Sequence, residues 1–333
     1  MKKTFLILIL ILLSFFAFLT YHALTPIKID LVYTWVDGND KQWQEKKQFW
    51  LDKEKNPSYN GTANARFRDN EELRYSLRSV EQNAPWINHI FIVTDGQIPK
   101  WLNTKHPKIT IVSHTDIFPE GVLPVFNSNT IESRLPFIPK LSEYFLYAND
   151  DMFFGAPVPS EFFFDTNGIP KTYILPRDRE YIFKSRHLYF QLIANMYAKV
   201  EQLYFVSDYF MPSHNIDAYR KSFFKENLKE LFPDDFPFNR FRKQDDFQRI
   251  AINLMDNAKN RVQLLPKKTT IKQLNLPCKT EFLHILRKLD NVFLFKPCLF
   301  CLNDFEDKSP EEREKTTALL KLLFPNKSTF EID

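Results

Sequence analysis

Glycine is nearly absent from this chain. Its 333 residues hold six, at positions 38, 61, 96, 121, 155 and 168, where ordinary usage of about 7% would supply more than twenty. Neither G-x-G-x-x-G nor G-x-x-x-x-G-K occurs. A nucleotide phosphate, if one is handled, is therefore not cradled by a glycine loop, and arginines or a metal ion must neutralise it. Cysteine is scarce too, with three residues, which argues against a disulfide scaffold. Charge of one sign is also lacking: 45 Lys+Arg stand against 41 Asp+Glu, a net +4. That balance does not fit a nucleic-acid coat or a polybasic membrane binder, so no nucleic-acid partner is expected. What abounds is phenylalanine, at 34 residues, within a composition 44% hydrophobic and 26% charged. Such a chain folds into a globular body of one large or two moderate domains.

Residues 4–24 (TFLILILILLSFFAFLTYHAL) carry no charge and follow Lys2 and Lys3. The run is long enough to span a bilayer, which takes roughly 20 residues. It reads as a signal anchor within residues 1–25, with a cleaved signal peptide as the alternative, although no A-x-A site follows it. The body then occupies 26–333. A single pass through the membrane follows, with the catalytic side left open; the low glycine and high lysine and phenylalanine content suggest an AT-rich bacterial genome, and so a bacterial inner membrane.

Short apolar runs stop at acids in four places. Ile29–Val36 ends at Asp37-Gly38, His89–Thr94 at Asp95-Gly96, and Tyr144–Ala148 at Asn149-Asp150-Asp151; Phe293–Phe295 and Leu299–Leu302 lead to Asn303-Asp304. Continuous apolar runs bounded by turns are what buried parallel strands look like. Between the first two lies a helix, opened by a capping-box spacing of Asp69 and Glu72, with a stripe of Leu73, Leu77 and Val80. Arg74 and Arg78 share another of its faces, within reach of Glu71 or Glu81. Alternating strands and helices predict an α/β fold around a mostly parallel sheet over 26–180. In such sheets ligands bind beyond the carboxyl ends of the strands, where these acids fall. A single D-G after a strand is ordinarily only a turn; the repetition is the signal. The adjacent Asp150 and Asp151 repel one another, and keeping both ionised calls for a cation or arginines. Oxygen ligands of this kind suit Mg²⁺ or Mn²⁺. The second half, 181–333, reads as largely helical and rich in aromatics. Ser309-Pro310-x-Glu312 opens its last helix with a capping box. Cys298 and Cys301 form a lone C-x-x-C in apolar surroundings and read as buried thiols, since a lone pair cannot supply four zinc ligands.

In order along the chain, several stretches resemble the blocks of the Stealth family of sugar-phosphate transferases. Ile29–Gly38 (IDLVYTWVDG) resembles its opening signature. Arg66–Trp86, Ile90–Leu102, Ile131–Ser133 and Leu141–Gly155 (LSEYFLYANDDMFFG) resemble its long second block. His214–Asp217 with Asn239–Asp246 resembles the third, and Phe300–Asp304 (FCLND) the fourth. The chain departs from the pattern at Phe210, where the third block usually has a His before its Pro, leaving His214 as the nearest substitute. It departs again at Arg134, where relatives commonly have His.

The resemblance implies transfer of a hexose-1-phosphate from a UDP-sugar to a hydroxyl of a glycan acceptor, with UMP leaving and a phosphodiester made, in capsule or surface polysaccharide synthesis. On that reading Asp150, Asp151 and Asp304 hold Mg²⁺ or Mn²⁺ against the diphosphate. Arg240 and Arg242, two apart and on one side of an extended segment, clamp phosphate oxygens. His214 is the general base, its ring oriented by Asp217, and Asp151 shares the catalytic centre. Asp37, Arg74, Arg78, Asp95, Glu132 and Asn149 face the nucleotide or the acceptor. The alternatives are an ordinary metal-dependent glycosyltransferase that releases UDP, and a membrane-anchored glycan-binding protein without turnover.

Overall fold

The computed structural model describes residues 27–54, 59–234, 236–266, 271–275, 297–304 and 309–332. The anchor expected over residues 4–24 lies outside them, as does the strand expected at 293–295. Among the described residues no helix is long and apolar enough to cross a membrane.

In chain order the strands are β1 Ile29–Thr34, β2 Ile90–Thr94, β3 Ile109–Ser113, β4 Tyr144–Asn149, β5 Met152–Phe154, β6 Lys171–Pro176, β7 Phe210–Pro212, β8 Asp217–Arg220, β9 Gln263–Pro266, β10 Ile271–Asn275 and β11 Leu299–Asn303. The main sheet has the order β3-β2-β1-β4-β8. Its first four strands run parallel, in register Leu31 to Ile90 and Ile29 to Tyr144, while β8 is antiparallel. The expected mostly parallel α/β sheet is therefore present. Two three-stranded sheets, β10-β11-β5 and β7-β6-β9, flank it.

Side-chain alternation explains the layering. Ile29, Leu31 and Tyr33 of β1 face a cluster with Leu73, Leu77 and Val80 of the helix Glu72–Asn83. Val32, Phe145 and Tyr147 face the opposite cluster, closed by residues of the helices Leu188–Glu201, Lys221–Leu231 and Ile250–Ala258. Serines fix the first helix in place: Tyr33 and Ser76 share a 2.7 Å hydrogen bond, and Ser79 Oγ accepts the Phe154 N–H at 3.0 Å.

Three expectations about the fold need correction. The second half is not merely helical, because it supplies β8 to the main sheet and β7, β9, β10 and β11 to the flanking ones. The fourth acid-ended strand, β11, is not part of the main sheet; it pairs antiparallel with β5. The helix at 72 has no capping box. Glu71 occupies its N-cap in a left-handed conformation (φ 65°), which turns the Asp69 carboxylate to the Glu71 N–H and the Glu72 carboxylate back to Asn70. The capping box at Ser309 and Glu312 forms as expected.

Candidate active site

Because β1, β2 and β4 run parallel, Asp37, Asp95 and Asn149-Asp150-Asp151 arrive at one edge of the sheet. Asp37 and Asp95 line a cavity of about 600 Å³ together with Trp35, Asp69, Gln97 and Trp101. Gln97 fastens the two loops, its side-chain carbonyl accepting from the Asp37 N–H and its amide donating to the Asp37 carbonyl, both at 3.0 Å. Gly38 lets the Asp37 loop touch the turn that ends at Phe67: its N–H donates to the Phe67 carbonyl at 2.7 Å, and a Cβ there would lie 2.1 Å from that oxygen. Asp95 is paired with Lys46. Beside Asp95 lies buried His114, 3.8 Å away, whose pKa burial lowers to about 4. It sits at the end of edge strand β3, three strands from β4.

The carboxylates next to this cavity repel one another. Burial raises Asp150 well above the ordinary carboxylate range, and Asp151, Glu72 and Asp69 raise it further. Asp151 is pushed up to about 7 by burial, with Glu72 and Asp304 adding to it and a Cys301 hydrogen bond opposing. Asp69 rises to about 7, again chiefly through burial and then through Glu72. Asp151 Oδ1 is buried without a hydrogen-bond partner. Asp304 accepts from Arg68 at 2.6 Å through Oδ2 and still lies close enough to Asp151 to raise it. Among the described residues no three acidic, His or Cys side chains converge as a ready-made metal site. The donor set and its excess negative charge nonetheless fit a hard divalent cation, which suits oxygen ligands.

His214 reaches the same edge. It adopts a left-handed backbone (φ 49°), and its Nε2 lies 3.2 Å from Asn303 Oδ1. Asp217 does not orient it. That carboxylate accepts from Arg249 at 2.6 Å, and Arg249 also donates to Glu132 at 2.7 Å and to Tyr219 at 2.8 Å. Glu132 is thus held in a buried ion pair with Arg249. Tyr147 connects this network to the strand ends through Thr34 (2.9 Å) and Asn149 Oδ1 (2.8 Å).

Arg240 and Arg242 do not project together. Arg240 stacks on Trp50, 3.8 Å from the ring centre, and Arg242 donates to Ser128. Arg242 does have a guanidinium partner that the sequence reading missed. Arg66 has its pKa lowered to about 9 by burial and by Arg242 beside it. Two neighbouring guanidiniums, Arg242 half-buried and Arg66 open to solvent, can seat an anion. Arg74 and Arg78 bind Glu331 at 2.6 and 2.8 Å, and the helix face expected to meet substrate is occupied by the chain's own carboxylate. The i,i+3 contact of Arg74 with Glu71 is also present, at 3.4 Å. Cys298 and Cys301 are free thiols, and Cys301 is buried.

Models of Stealth protein conserved regions 1 and 2 match residues 28–55 and 66–172. The capsular polysaccharide phosphotransferase fcs1 of Haemophilus influenzae is 34% identical over 84% of this chain and 79% of its own length. LcbA of Neisseria meningitidis, another capsular polysaccharide phosphotransferase, is 32% identical over 90% and 84%. An exopolysaccharide phosphotransferase of Streptomyces coelicolor, SCO6023, is 52% identical over 44% of this chain, a stretch that spans only 25% of that relative. Among solved structures, the galactosyltransferase LgtC is 10% identical with a TM-score of 0.42, covering 88% of this chain and 95% of LgtC. On the near-full-length matches, the chain belongs to the Stealth family, among relatives named as bacterial capsular polysaccharide phosphotransferases.

Proposed function

We propose that this protein transfers a hexose-1-phosphate from a UDP-sugar to a hydroxyl of a glycan acceptor in capsule synthesis, releasing UMP. The observation that carries the reading is the crowding of like charges, carboxylates at the strand ends and two guanidiniums elsewhere in the fold. Carboxylates that repel one another stand at the strand ends, and the guanidiniums of Arg66 and Arg242 stand close enough to oppose each other. A diphosphate with a divalent ion satisfies both, and phosphoryl transfer is mostly positioning and charge stabilisation.

In this reading the nucleoside lies in the cavity of Trp35, Asp37, Asp95 and Trp101. The acceptor oxygen attacks the phosphorus next to the sugar. The bond from that phosphorus to the oxygen bridging to UMP breaks, and the hydroxyl proton passes to His214. With Asn303 Oδ1 accepting from Nε2–H, Nδ1 is the basic atom of the ring. Arg66 and Arg242 steady the non-bridging oxygens. Asp150 and Asp151 would hold Mg²⁺ or Mn²⁺, which would supply charge neutralisation at the diphosphate, and Asp304 would join them once released from Arg68. The uncharged run at residues 4–24 would anchor the protein in the membrane. The test is the nucleotide product of a reaction with a UDP-sugar, capsule oligosaccharide and Mg²⁺. UMP, with activity lost in chelator, is expected; UDP would instead indicate transfer of the sugar alone.

A further inference from the structure

The last described residues are joined to one wall of the cavity. Glu331 has a side chain with 0% exposure and binds two arginines of the helix Glu72–Asn83. Both its oxygens are used: Arg74 Nε and Arg78 Nη2 donate to Oε2 at 2.6 and 2.8 Å, while Arg78 Nε and the Ser328 N–H donate to Oε1 at 2.8 and 2.9 Å. Its backbone makes an antiparallel bridge with Leu102. On either side of that bridge the Asn103 N–H donates to the Phe330 carbonyl, and the Ile332 N–H to the Trp101 carbonyl, both at 2.8 Å. Phe330 is buried in the core cluster on that side of the sheet. Arg74, held by Glu331, also lies over the Trp101 ring at 5.8 Å. Pro99, Lys100 and Trp101 line the cavity.

We infer that Glu331 is a positioning residue for nucleotide binding: it fixes Trp101 and its loop as a rigid wall of the donor cavity. The inference rests on the reading of that cavity as the donor's, but not on how the chemistry proceeds. A buried carboxylate held by two guanidiniums has a single arrangement, and the segment carrying it is hydrogen-bonded directly to the loop. Without the carboxylate, the two arginines lose their shared acceptor and the pairing of 330–332 with 101–103 loses its fixed end. The loop then samples positions in which Trp101 no longer closes on a bound base, and nucleotide affinity falls because the wall must be ordered on binding.

The test uses the full chain and UDP as the probe. Binding is followed by the fluorescence of the tryptophans in the cavity and by calorimetry, with thermal unfolding recorded alongside. Glu331→Gln keeps the shape and removes the charge. It should raise the Kd for UDP roughly 3- to 30-fold, the range for a residue that acts through another. The KM for a UDP-sugar should rise with it while kcat at saturating donor holds, the mark of lost uniform binding. A purely structural role would lower the unfolding temperature and the active fraction while the folded molecules kept their Kd, and that outcome overturns the inference. If Glu331→Gln does not fold, Ser328→Ala removes one hydrogen bond from Oε1 and should shift Kd in the same direction by less; an unchanged Kd there overturns it equally. Wild-type protein that does not bind UDP would instead refute the donor reading beneath it.

Discussion

Asp151→Asn should make the metal-free protein more stable while abolishing its activity. In the fold this carboxylate is raised to about 7 by burial and by Glu72, with Asp304 adding; in the unfolded chain it titrates near 3.9. A raised carboxylate pKa means the folded state binds the proton more tightly than the unfolded one. Its burden on stability is therefore absent below about pH 4, grows through the interval between the two values, and is complete above about pH 7. Three pKa units correspond to about 4 kcal/mol, and because solvent reaches the partly exposed Asp151 we discount this to about 2 kcal/mol. For a chain of this size that is a rise in Tm of roughly 3–5 °C at pH 8. The assay is calorimetric or circular-dichroism melting with excess chelator at pH 8 and pH 4.5. The substitution should stabilise at pH 8 and be close to neutral at pH 4.5. Mg²⁺ added at pH 8 should stabilise the wild type more than the variant, because it answers the same repulsion. A variant less stable than wild type at pH 8, or a gain of equal size at both pH values, would refute the electrostatic account of the cluster.

Three other outcomes follow from the site. His214→Ala should lower kcat by about 10²–10⁴ with little change in donor KM, since the base meets the acceptor and not the diphosphate; steady-state kinetics check this, and a wild-type rate would move the base elsewhere. His114, buried with a pKa of about 4 and three strands from β4, should prove dispensable for the chemical step, so His114→Gln should retain kcat in a folded protein. Arg249→Met leaves Glu132 and Asp217 buried without their cation, a loss of about 3–5 kcal/mol that melting should show as a markedly lower Tm; an unchanged Tm would mean the network carries little.

The sheet was legible because its strands are nearly uninterrupted apolar runs, a pattern that depends only on neighbours in sequence. The acids at their ends followed from strand polarity alone. What escaped notice depends on partners far apart in the chain. Glu132 meets Arg249 across 117 positions, and Arg74 meets Glu331 across 257. No periodicity announces either pair. Asp217 was expected to orient His214 because the two are three residues apart, yet β8 turns its carboxylate inward to Arg249. The Asp69–Glu72 spacing suggested a cap, but the left-handed Glu71 broke the geometry a cap requires and sent both carboxylates elsewhere. Arg66 and Arg68 stood within a stretch already singled out. Nothing local distinguishes them from surface arginines, and only the fold brings one beside Arg242 and the other to Asp304.

The polarity of β1 has a practical corollary for surface-based measurements. The strand runs from Ile29 to Thr34, about 17 Å at the usual rise per residue, and Asp37 lies in the turn beyond its far end. A sensor chip that captures the protein through residues ahead of Ile29 therefore holds it by the pole opposite the acids, with the mouth of the cavity facing the flowing solution. Capture through residues 331–332 brings the linker against Trp101. The two orientations should report different on-rates for the same nucleotide.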